Sequence, residues 1–301
     1  MLAALLKEIE LVSLSFLQEP VETTYFGGGT PSLLEAPEIS TLLESARRSF
    51  KVSPGAEITL EANPDDINVE KLKAWKEAGI NRLSIGIQSF FEEDLRWMNR
   101  AHNAEQARRA LEMALVQFPN ITIDLIYGTP GLTDEKWEQN VRRAIAMGVP
   151  HLSCYALTVE PNTPLQKMIG LHKKEDVNPD HQSEQFLLLM RWLREAGYEH
   201  YEISNFAKPG FRSRHNSSYW QGKKYIGIGP SAHSFDGRAR WWNVANNQVY
   251  IRSLSEGRIP FEKEELNAAQ RINEFIMITL RTMEGLNMER IRKDEWGLDA
   301  G

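Results

Sequence analysis

The sequence predicts an α/β protein with a parallel sheet, and three observations support this prediction. Apolar runs rich in β-branched residues recur along the chain up to about Phe206. Between them lie stretches whose apolar residues fall at helical spacing. Gly79, Gly148 and Gly197 each follow such a stretch, where a left-handed residue often ends a helix. Strands that alternate with helices form a parallel sheet, either open or closed into a barrel.

The elements follow one another in a regular order. The chain starts with an amphipathic helical pattern, in which charged residues interrupt the apolar ones, and this pattern is unlike a secretory signal. The predicted strands are Thr23–Phe26, Glu57–Ala62, Arg82–Gln88, Ile121–Tyr127, His151–Leu157 and Tyr198–Ser204. The predicted helices are Glu35–Phe50, Val69–Ala78, Ala104–Gln117, Asp134–Met147, His181–Ala196 and, after a polar and aromatic stretch, Ala268–Met283. We therefore expect two domains, residues 1–206 and a smaller, mostly helical extension over residues 207–301.

Composition argues against several classes of function. Of the 301 residues, 42% are hydrophobic, which suits a folded protein with a large core. The net charge of −6 argues against a nucleic-acid partner. No apolar run approaches the roughly 20 residues that a membrane span needs. The one cysteine, Cys154, forms no internal disulfide, so we expect a cytoplasmic protein, and one thiol cannot build a thiolate cage for a metal.

Polar residues gather at the ends of four successive predicted strands. The first strand leads into Gly27–Gly29, the second ends near Glu61, the third ends at Gln88, and Asp124 lies in the fourth. Ligands of parallel α/β folds bind at the carboxyl ends of the strands, so we expect these residues to face one mouth. Glycine backbone allows close approach of a ligand, and a carboxylate accepts hydrogen bonds from hydroxyls. The pattern predicts a site for a small polar ligand.

Each of these residues also has a structural interpretation. The three glycines serve equally well as a tight turn between a strand and a helix. Glu61 precedes an Asn-Pro turn signal, and Arg100 is compatible either with a ligand carboxylate or with a solvated helix end. Asp124 lies among apolar residues, where a carboxylate is rarely buried without a partner, and this favours a functional role.

Five segments occur in an order and spacing that resemble a known family: GGGTPS, EANP, IGIQSF, NRAH and DLIYGTPG. Over roughly residues 5 to 285, the chain resembles the radical-SAM proteins related to oxygen-independent coproporphyrinogen III oxidase. HNSSYW at 215–220 and GIGPSAHS at 227–234 resemble the HemW branch in particular, which is regarded as a group of heme chaperones. The resemblance implies a partial (β/α)6 barrel that holds S-adenosylmethionine beside a 4Fe-4S cluster.

The same resemblance implies a set of ligand-binding residues and a function. The residues expected to bind S-adenosylmethionine are Gly28, Gly29, Thr30, Glu61, Gln88, Arg100 and Asp124. The implied function is that of a heme chaperone, which binds heme and S-adenosylmethionine and passes heme to respiratory proteins. Two other functions stay open: an oxygen-independent coproporphyrinogen III oxidase of porphyrin biosynthesis, and a non-catalytic heme- or nucleotide-binding module.

The sequence departs from this family at the cluster motif. The family's C-x-x-x-C-x-x-C motif follows a first barrel strand, whereas Met1 lies in what resembles the helix after that strand. We therefore expect a truncated barrel that lacks its first strand, and we assign neither cluster ligands nor catalytic residues. Cys154 is expected to be a small buried hydrophobe. The uncovered edge of the strand before Gly27 predicts association, for example as a dimer.

A histidine-aromatic segment follows the barrel, and the resemblance relates it to heme. Its candidate heme-binding residues are His215, Tyr219 and Trp220, with His233 as a second candidate histidine. Imidazole is a common axial ligand of heme iron, and aromatic rings can stack on a flat macrocycle. In the alternative interpretation, this segment closes the barrel, its rings pack, and His215 is only hydrogen-bonded, as most lone histidines are.

Overall fold

The computed structural model describes residues 1–13 and 19–292 of the chain. The described residues form two compact units. We call the first the terminal unit, which contains residues 1–13, 19–25, 34–58 and 213–292. The second, the central unit, contains residues 26–33 and 59–212. The domain boundary at residue 206 inferred from the sequence stays a prediction.

Strands and helices alternate through most of the chain, as the sequence predicts. The elements are α1 Leu2–Ser13, β1 Val21–Phe26, α2 Ala36–Ser49, β2 Val52–Ala62, α3 Val69–Ala78, β3 Arg82–Gln88, α4 Glu92–Trp97, α5 Ala104–Gln117, β4 Ile121–Tyr127, α6 Asp134–Ala146, β5 His151–Ala156, α7 Pro164–Gly170, α8 Pro179–Glu195, β6 Glu199–Glu202 and β7 Asn205–Ala207. The strands form one seven-stranded sheet in the order β1-β2-β3-β4-β5-β7-β6. Strands β2 to β5 pair in parallel, which confirms the predicted α/β class.

The end of this sheet differs from the sequence-based prediction. Instead of one parallel strand at Tyr198–Ser204, the chain forms a hairpin of β6 and β7, and β7 pairs antiparallel with both β5 and β6. The turn is closed by Glu202, whose carboxylate accepts hydrogen bonds from the Ser204 N–H and the Asn205 amide. The prediction was wrong here because apolar periodicity identifies a strand but carries no information on its direction.

The core of the central unit lies on both faces of the parallel strands. Ile85 on β3, Ile123 on β4 and the two tryptophans Trp75 and Trp137 on the flanking helices are fully buried. Strands covered on both faces are expected to be apolar along their whole length, as five of the seven residues of β4 are, whereas three of the seven residues of β3 are polar or charged. The polar residues within these strands therefore stand out as exceptions.

Helix ends in the central unit follow the local sequence. Asn68 and Asn103 accept hydrogen bonds from backbone N–H groups in the first turns of α3 and α5, and Thr133 does the same for α6. Gly79 ends α3 with a φ of +105°, a backbone conformation that side chains with a Cβ rarely adopt. The first turns of these helices are thus stabilised by local capping hydrogen bonds.

The terminal unit adds elements that only partly match the prediction. They are α9 Arg214–Trp220, β8 His233–Phe235, β9 Ala239–Asn243, α10 Asn247–Ser255, β10 Phe261–Glu265, α11 Ala268–Thr279 and α12 Met288–Arg292. Helices are the larger part, as expected, but β10, β9 and β8 also form an antiparallel sheet that the sequence did not predict. Strands this short and polar, such as the fully exposed β10, leave little apolar periodicity to detect.

Helix α1 contacts other elements of the terminal unit through a buried carboxylate. Glu8 accepts hydrogen bonds from the Gly229 N–H at 2.7 Å, the Asn243 amide at 2.5 Å and the Tyr250 hydroxyl. Burial raises the pKa of Glu8, and these three donors oppose that shift. In the part of the chain that the structure describes, no helix combines the length and apolar character needed to cross a bilayer.

Candidate functional site

The loop after β1 exposes backbone groups at the start of the candidate site. Gly28 and Gly29 have φ values of +74° and +101°, and a Cβ on either residue would meet no heavy atom within 4 Å. These glycines are therefore required by their left-handed backbone conformation rather than by crowding, and both residues are exposed. The Gly28 N–H donates to Glu61 Oε2 at 3.2 Å, which ties the loop to the end of β2. Thr30 follows this loop and is half-buried.

Gln88 lies at an irregularity where β3 leaves the sheet. Ile85 pairs with Ile123 and Gln88 with Leu125, so three steps along β3 match two along β4. Gln88 has a φ of +66°, which costs a residue with a Cβ on the order of 1 kcal/mol. Bulges of this kind re-aim side chains and are common beside active sites. The side chain of Gln88 is thereby turned toward Gly86, on its own strand.

Three polar side chains meet over Gly86. A Cβ placed on Gly86 would lie 3.0 Å from Gln88 Nε2, 3.6 Å from an Arg100 terminal nitrogen and 3.7 Å from Asn63 Oδ1. Arg100 also donates to Asn63 Oδ1 at 3.4 Å, a long hydrogen bond. The buried Nε of Arg100 has no hydrogen-bond partner among the described residues. Arg100 therefore retains capacity to bind an additional acceptor.

Asp124 sits on β4 in a conflicting electrostatic environment. Burial and the neighbouring carboxylate of Glu61 raise its pKa from 3.8 to about 7, while a hydrogen bond with Ser153 and the charges of Arg82 and Arg100 oppose this shift. The residue as a whole is half-buried, so part of it remains accessible. Two carboxylates close enough to repel each other form a site that gains from a cation or from hydroxyl donors.

The structure brings most of the predicted residues of the ligand mouth into one group within the central unit. Gly28 contacts Glu61, Glu61 and Arg100 both act on the charge of Asp124, and Gln88 and Arg100 share the surface of Gly86. The group offers backbone donors, two carboxylates, an amide and a guanidinium. Such a set is suited to a zwitterionic ligand that also carries hydroxyl groups.

Several residues that the sequence did not predict as site residues contact this group or the turns beside it. Asn63 orients Arg100, and Ser153 contacts both Asp124 and Asn205. Ser32, fully buried after the glycine loop, donates to Asp66 at 2.6 Å. His102, also buried, contacts the backbone of β3. Asn63 and Ser32 lie inside the EANP and GGGTPS segments, so the motifs signalled them, whereas Ser153 lies in an apolar strand and gave no signal.

The candidate heme residues belong to the terminal unit. His215 lies in the first turn of α9, where the carboxylate of Glu57 accepts the N–H groups of Arg214 and His215 at 3.1 and 3.0 Å. Its Nδ1 is 2.9 Å from Thr23 Oγ1, and its Nε2 is 3.1 Å from the Tyr219 hydroxyl. The ring stacks on Tyr25 with centroids 4.7 Å apart. The imidazole is thus held on three sides.

The other heme candidates are arranged differently. Tyr219, 40% exposed, packs edge-on against His215, and Arg281 lies 5.4 Å above the ring of Trp220. His233 is exposed on β8 and stacks on Trp242 with centroids 5.9 Å apart. Within the terminal unit, His215 and Tyr219 form one aromatic group, and His233 belongs to a different pair of rings.

A separate cavity of about 390 Å³ contains no predicted site residue. It is lined by Gly131, Leu132, Thr133, Asp134, Glu135 and His181, at the starts of α6 and α8. His181 Nε2 lies 3.0 Å from Asp134 Oδ1, so two of its polar groups already satisfy each other. The cavity and the polar group around Asp124 are therefore distinct features of the central unit.

The residues present do not fit a 4Fe-4S cluster. A cluster of this type needs several thiolates, and the chain has one cysteine. Cys154 is buried on β5, where burial and the charge of Asp124 raise the pKa of its thiol. Among residues 1–13 and 19–292, no group of three or more His, Cys, Asp or Glu side chains is arranged to hold a metal ion.

Comparisons with known proteins identify the family. The sequence-family model of the radical SAM superfamily matches residues 5–144. The heme chaperone HemW of Mycobacterium tuberculosis (strain CDC 1551 / Oshkosh) is 36% identical over 96% of this chain and 75% of its own length. HemW of Bacillus subtilis (strain 168) is 34% identical over 91% and 73%, and HemW of Escherichia coli (strain K12) is 37% identical over 88% and 69%.

A solved structure supports the same assignment. Coproporphyrinogen III oxidase (HemN) of Escherichia coli, described as a radical SAM enzyme, is 26% identical to this chain, with a TM-score of 0.83. The match covers 99% of this chain and 71% of the oxidase chain. This match confirms the predicted radical-SAM-type partial barrel. The family resemblance that the five motifs predicted is also confirmed. The chain belongs to the HemW family of radical-SAM proteins.

Proposed function

We propose that the chain binds S-adenosylmethionine at the carboxyl ends of β1 to β4 and carries heme for delivery to respiratory proteins. The observation that supports the first part is the group formed by Gly28, Glu61, Gln88, Arg100 and Asp124. The second part is supported by the relatives named heme chaperone HemW and by the held imidazole of His215. The proposed compartment is the cytoplasm.

Each side chain of the first group has a chemical partner in S-adenosylmethionine. Glu61 and the backbone beside Gly28, Gly29 and Thr30 suit the ammonium end of the methionine part. Arg100 suits its carboxylate, because a guanidinium pairs with carboxylates in a fixed fork. Asp124 accepts hydrogen bonds from ribose hydroxyls, and Gln88 can donate and accept.

The charge of the ligand also fits this group. The sulfonium and the ammonium of S-adenosylmethionine are both cationic, and Glu61 and Asp124 repel each other without a ligand. A bound cation relieves this repulsion and favours the ionised form of Asp124. We therefore expect S-adenosylmethionine to bind more tightly than S-adenosylhomocysteine, which lacks the sulfonium charge.

Of the two alternatives, the first is less well supported and the second is compatible with the same residues. An oxygen-independent coproporphyrinogen oxidase needs an electron from the cluster to cleave the sulfonium, and the residues of this chain do not fit a cluster. A non-catalytic heme- or nucleotide-binding module requires only the two groups of residues described above.

The proposed heme ligand is His215. Its Nδ1 is held by Thr23, and a partner on the second nitrogen fixes the ring of a metal-binding histidine in many sites. Its Nε2 faces the Tyr219 hydroxyl, so coordination of heme iron requires that hydroxyl to move. Tyr219 is 40% exposed, which leaves it room to turn outward.

Isothermal titration with S-adenosylmethionine tests the first part of the proposal. Asp124→Asn keeps the shape of the side chain and removes its charge, and we expect Kd to rise about 10-fold or more, as for loss of a charge-assisted hydrogen bond. Asp176→Asn, at an exposed position, is the matched control and should leave Kd unchanged. Equal affinity of the parent and Asp124→Asn would refute the proposed role of Asp124.

Titration with heme, followed by the Soret band, tests the second part. His215→Ala should weaken binding and shift the band, because the axial ligand is lost. His233→Ala distinguishes the two candidate histidines, and His172→Ala, at an exposed position, serves as the control. Unchanged binding by His215→Ala together with weaker binding by His233→Ala would move the ligand to β8.

A further inference from the structure

His102 occupies a position that the proposed ligand chemistry does not use. It is 3% exposed and lies directly before Asn103, which caps α5. Its Nε2 is 3.1 Å from the backbone carbonyl of Ile87, the residue before Gln88. A carbonyl oxygen only accepts hydrogen bonds, so His102 donates from Nε2 and its neutral tautomer is defined. Burial lowers the pKa of His102, and the neighbouring charge of Arg100 lowers it further.

The carbonyl oxygen that His102 contacts belongs to Ile87, which lies within the irregularity of β3. The Ile87 oxygen also accepts the Ser89 N–H at 2.8 Å, across the residue with the positive φ. Both donors fix the peptide plane between Ile87 and Gln88. The direction of that plane sets where the Gln88 side chain leaves the backbone, and the left-handed conformation persists only while its surroundings hold it.

A second set of contacts holds the other side of Gln88. The Phe90 N–H donates to Asn140 Oδ1 at 2.7 Å, the Asn140 amide donates to Ser89 Oγ at 3.1 Å, and Ser89 Oγ donates to Asp94 at 2.6 Å. These residues are buried and anchor the turn to α4 and α6. His102 is the corresponding anchor on the side of α5, so the turn is held from two directions.

His102 is also linked to Arg100 through the chain. The two residues are separated by one position, and Arg100 reaches Gln88 and Asn63 over Gly86. We therefore expect a shift of His102 to move both the turn that bears Gln88 and the turn that bears Arg100. Displacements of about 1 Å in positioning groups are enough to reduce function substantially.

We propose that His102 is a positioning residue for S-adenosylmethionine, which sets the direction of Gln88 by holding the Ile87 carbonyl between β3 and the start of α5. His102 itself does not touch the ligand. The inference rests on the proposed function, because it assigns a role within that ligand site.

Three variants of His102 separate positioning from packing. His102→Phe keeps a ring and removes the donor. His102→Gln places an amide donor at about the reach of Nε2, whereas the shorter amide of His102→Asn does not reach the Ile87 carbonyl. By titration with S-adenosylmethionine, we expect His102→Phe and His102→Asn to raise Kd about 5-fold to 10-fold, and His102→Gln to stay within about 2-fold of the parent.

A double-mutant cycle with Gln88→Ala provides the readout that a purely structural role would not change. Without the Gln88 side chain, loss of the His102 donor should raise Kd by less than about 2-fold, because its effect acts through Gln88. An equal rise in both backgrounds would overturn the proposal, and so would parent-like binding by His102→Asn. If His102→Phe does not fold, the comparison of Gln with Asn decides.

Failure of the underlying function would look different. If the parent chain does not bind S-adenosylmethionine at all, the proposed function is wrong and the role of His102 is wrong with it. If the parent binds and every His102 variant binds equally well, only the positioning role is wrong.

Discussion

The two groups of polar residues differ in how completely their interactions are satisfied. Around His215, both ring nitrogens and the backbone N–H have partners within the terminal unit, and the ring is stacked. Around Asp124, two carboxylates repel each other, the Nε of Arg100 has no partner among the described residues, and Gln88 holds a costly backbone conformation.

This contrast distinguishes two kinds of binding site. Unsatisfied charge and strain are stable only when the rest of the fold holds them, and they favour a ligand that supplies the missing partner. The Asp124 group is therefore preorganised, and its ligand adds interactions. At His215, a heme ligand must displace the hydrogen bond between Nε2 and the Tyr219 hydroxyl. The loss of that hydrogen bond weakens the net binding of heme.

The largest expected effect concerns the pH dependence of stability at Asp124. Its pKa rises from 3.8 to about 7 in the folded chain, so the folded state keeps a proton that the unfolded state loses between these values. The free energy of unfolding therefore falls as pH rises through this window, by at most about 4 kcal/mol from this group. Asp124→Asn has no such proton, so its stability relative to the parent should increase between pH 5 and pH 8 by about 3 kcal/mol.

Urea unfolding at the two pH values measures this difference. Asp176→Asn, which removes an exposed carboxylate of the same size, should follow the parent at both. Saturating S-adenosylmethionine should reduce the advantage of Asp124→Asn at pH 8, because a cationic ligand stabilises the ionised carboxylate. Parallel pH profiles of the parent and Asp124→Asn would show that Asp124 is not electrostatically strained.

The sequence predicted the Asp124 group better than it predicted the fold around His215. Glu61, Gln88 and Asp124 end or interrupt apolar strands, and a parallel arrangement brings strand ends to one edge, so alternation alone predicted their proximity. The extra residue in β3 left no such trace, because a bulge depends on pairing with β4. The contact of Ser153 with Asp124 depends on the pairing of β4 with β5, and the contact of His102 with Ile87 depends on how the start of α5 lies against β3, so neither was predicted.

In the terminal unit, the HNSSYW motif predicted the candidate heme-binding residues but not the residues that contact them. HNSSYW drew attention to His215 and Tyr219, and the structure adds Thr23, Tyr25 and Glu57 from distant parts of the sequence. Such long-range partners are set by tertiary packing and leave no periodic pattern. The hairpin β6–β7 was missed for the same reason, since pairing direction is a tertiary property.

A medium effect is expected when Gly86 is changed to alanine. The new Cβ would lie 3.0 Å from Gln88 Nε2, so the Gln88 amide must give way by a few tenths of an ångström, whereas the Arg100 nitrogen at 3.6 Å stays in ordinary contact. We expect Kd for S-adenosylmethionine to rise about 3-fold to 10-fold, while the free energy of unfolding changes by less than about 1 kcal/mol. Gly55→Ala is the matched control, because a Cβ there meets nothing within 4 Å.

Titration and urea unfolding of both alanine variants check this prediction. An unchanged Kd for Gly86→Ala would mean that the side chains over Gly86 lie outside the ligand site. Equal losses of affinity in Gly86→Ala and Gly55→Ala would point instead to a general effect of the added methyl group.

The smallest effect tests the competition at His215. Tyr219→Phe removes the hydroxyl that lies 3.1 Å from His215 Nε2 and keeps the ring that packs against the imidazole. If heme iron takes that nitrogen, the variant no longer gives up a hydrogen bond on binding, and Kd for heme should fall about 2-fold to 4-fold. Tyr225→Phe, in the ring next to Tyr219, is the matched control and should bind heme as the parent does. Soret titrations of the three proteins measure the order of affinities. Weaker binding by Tyr219→Phe, to the level of His215→Ala, would instead assign the hydroxyl of Tyr219 to the heme and leave the imidazole as its support.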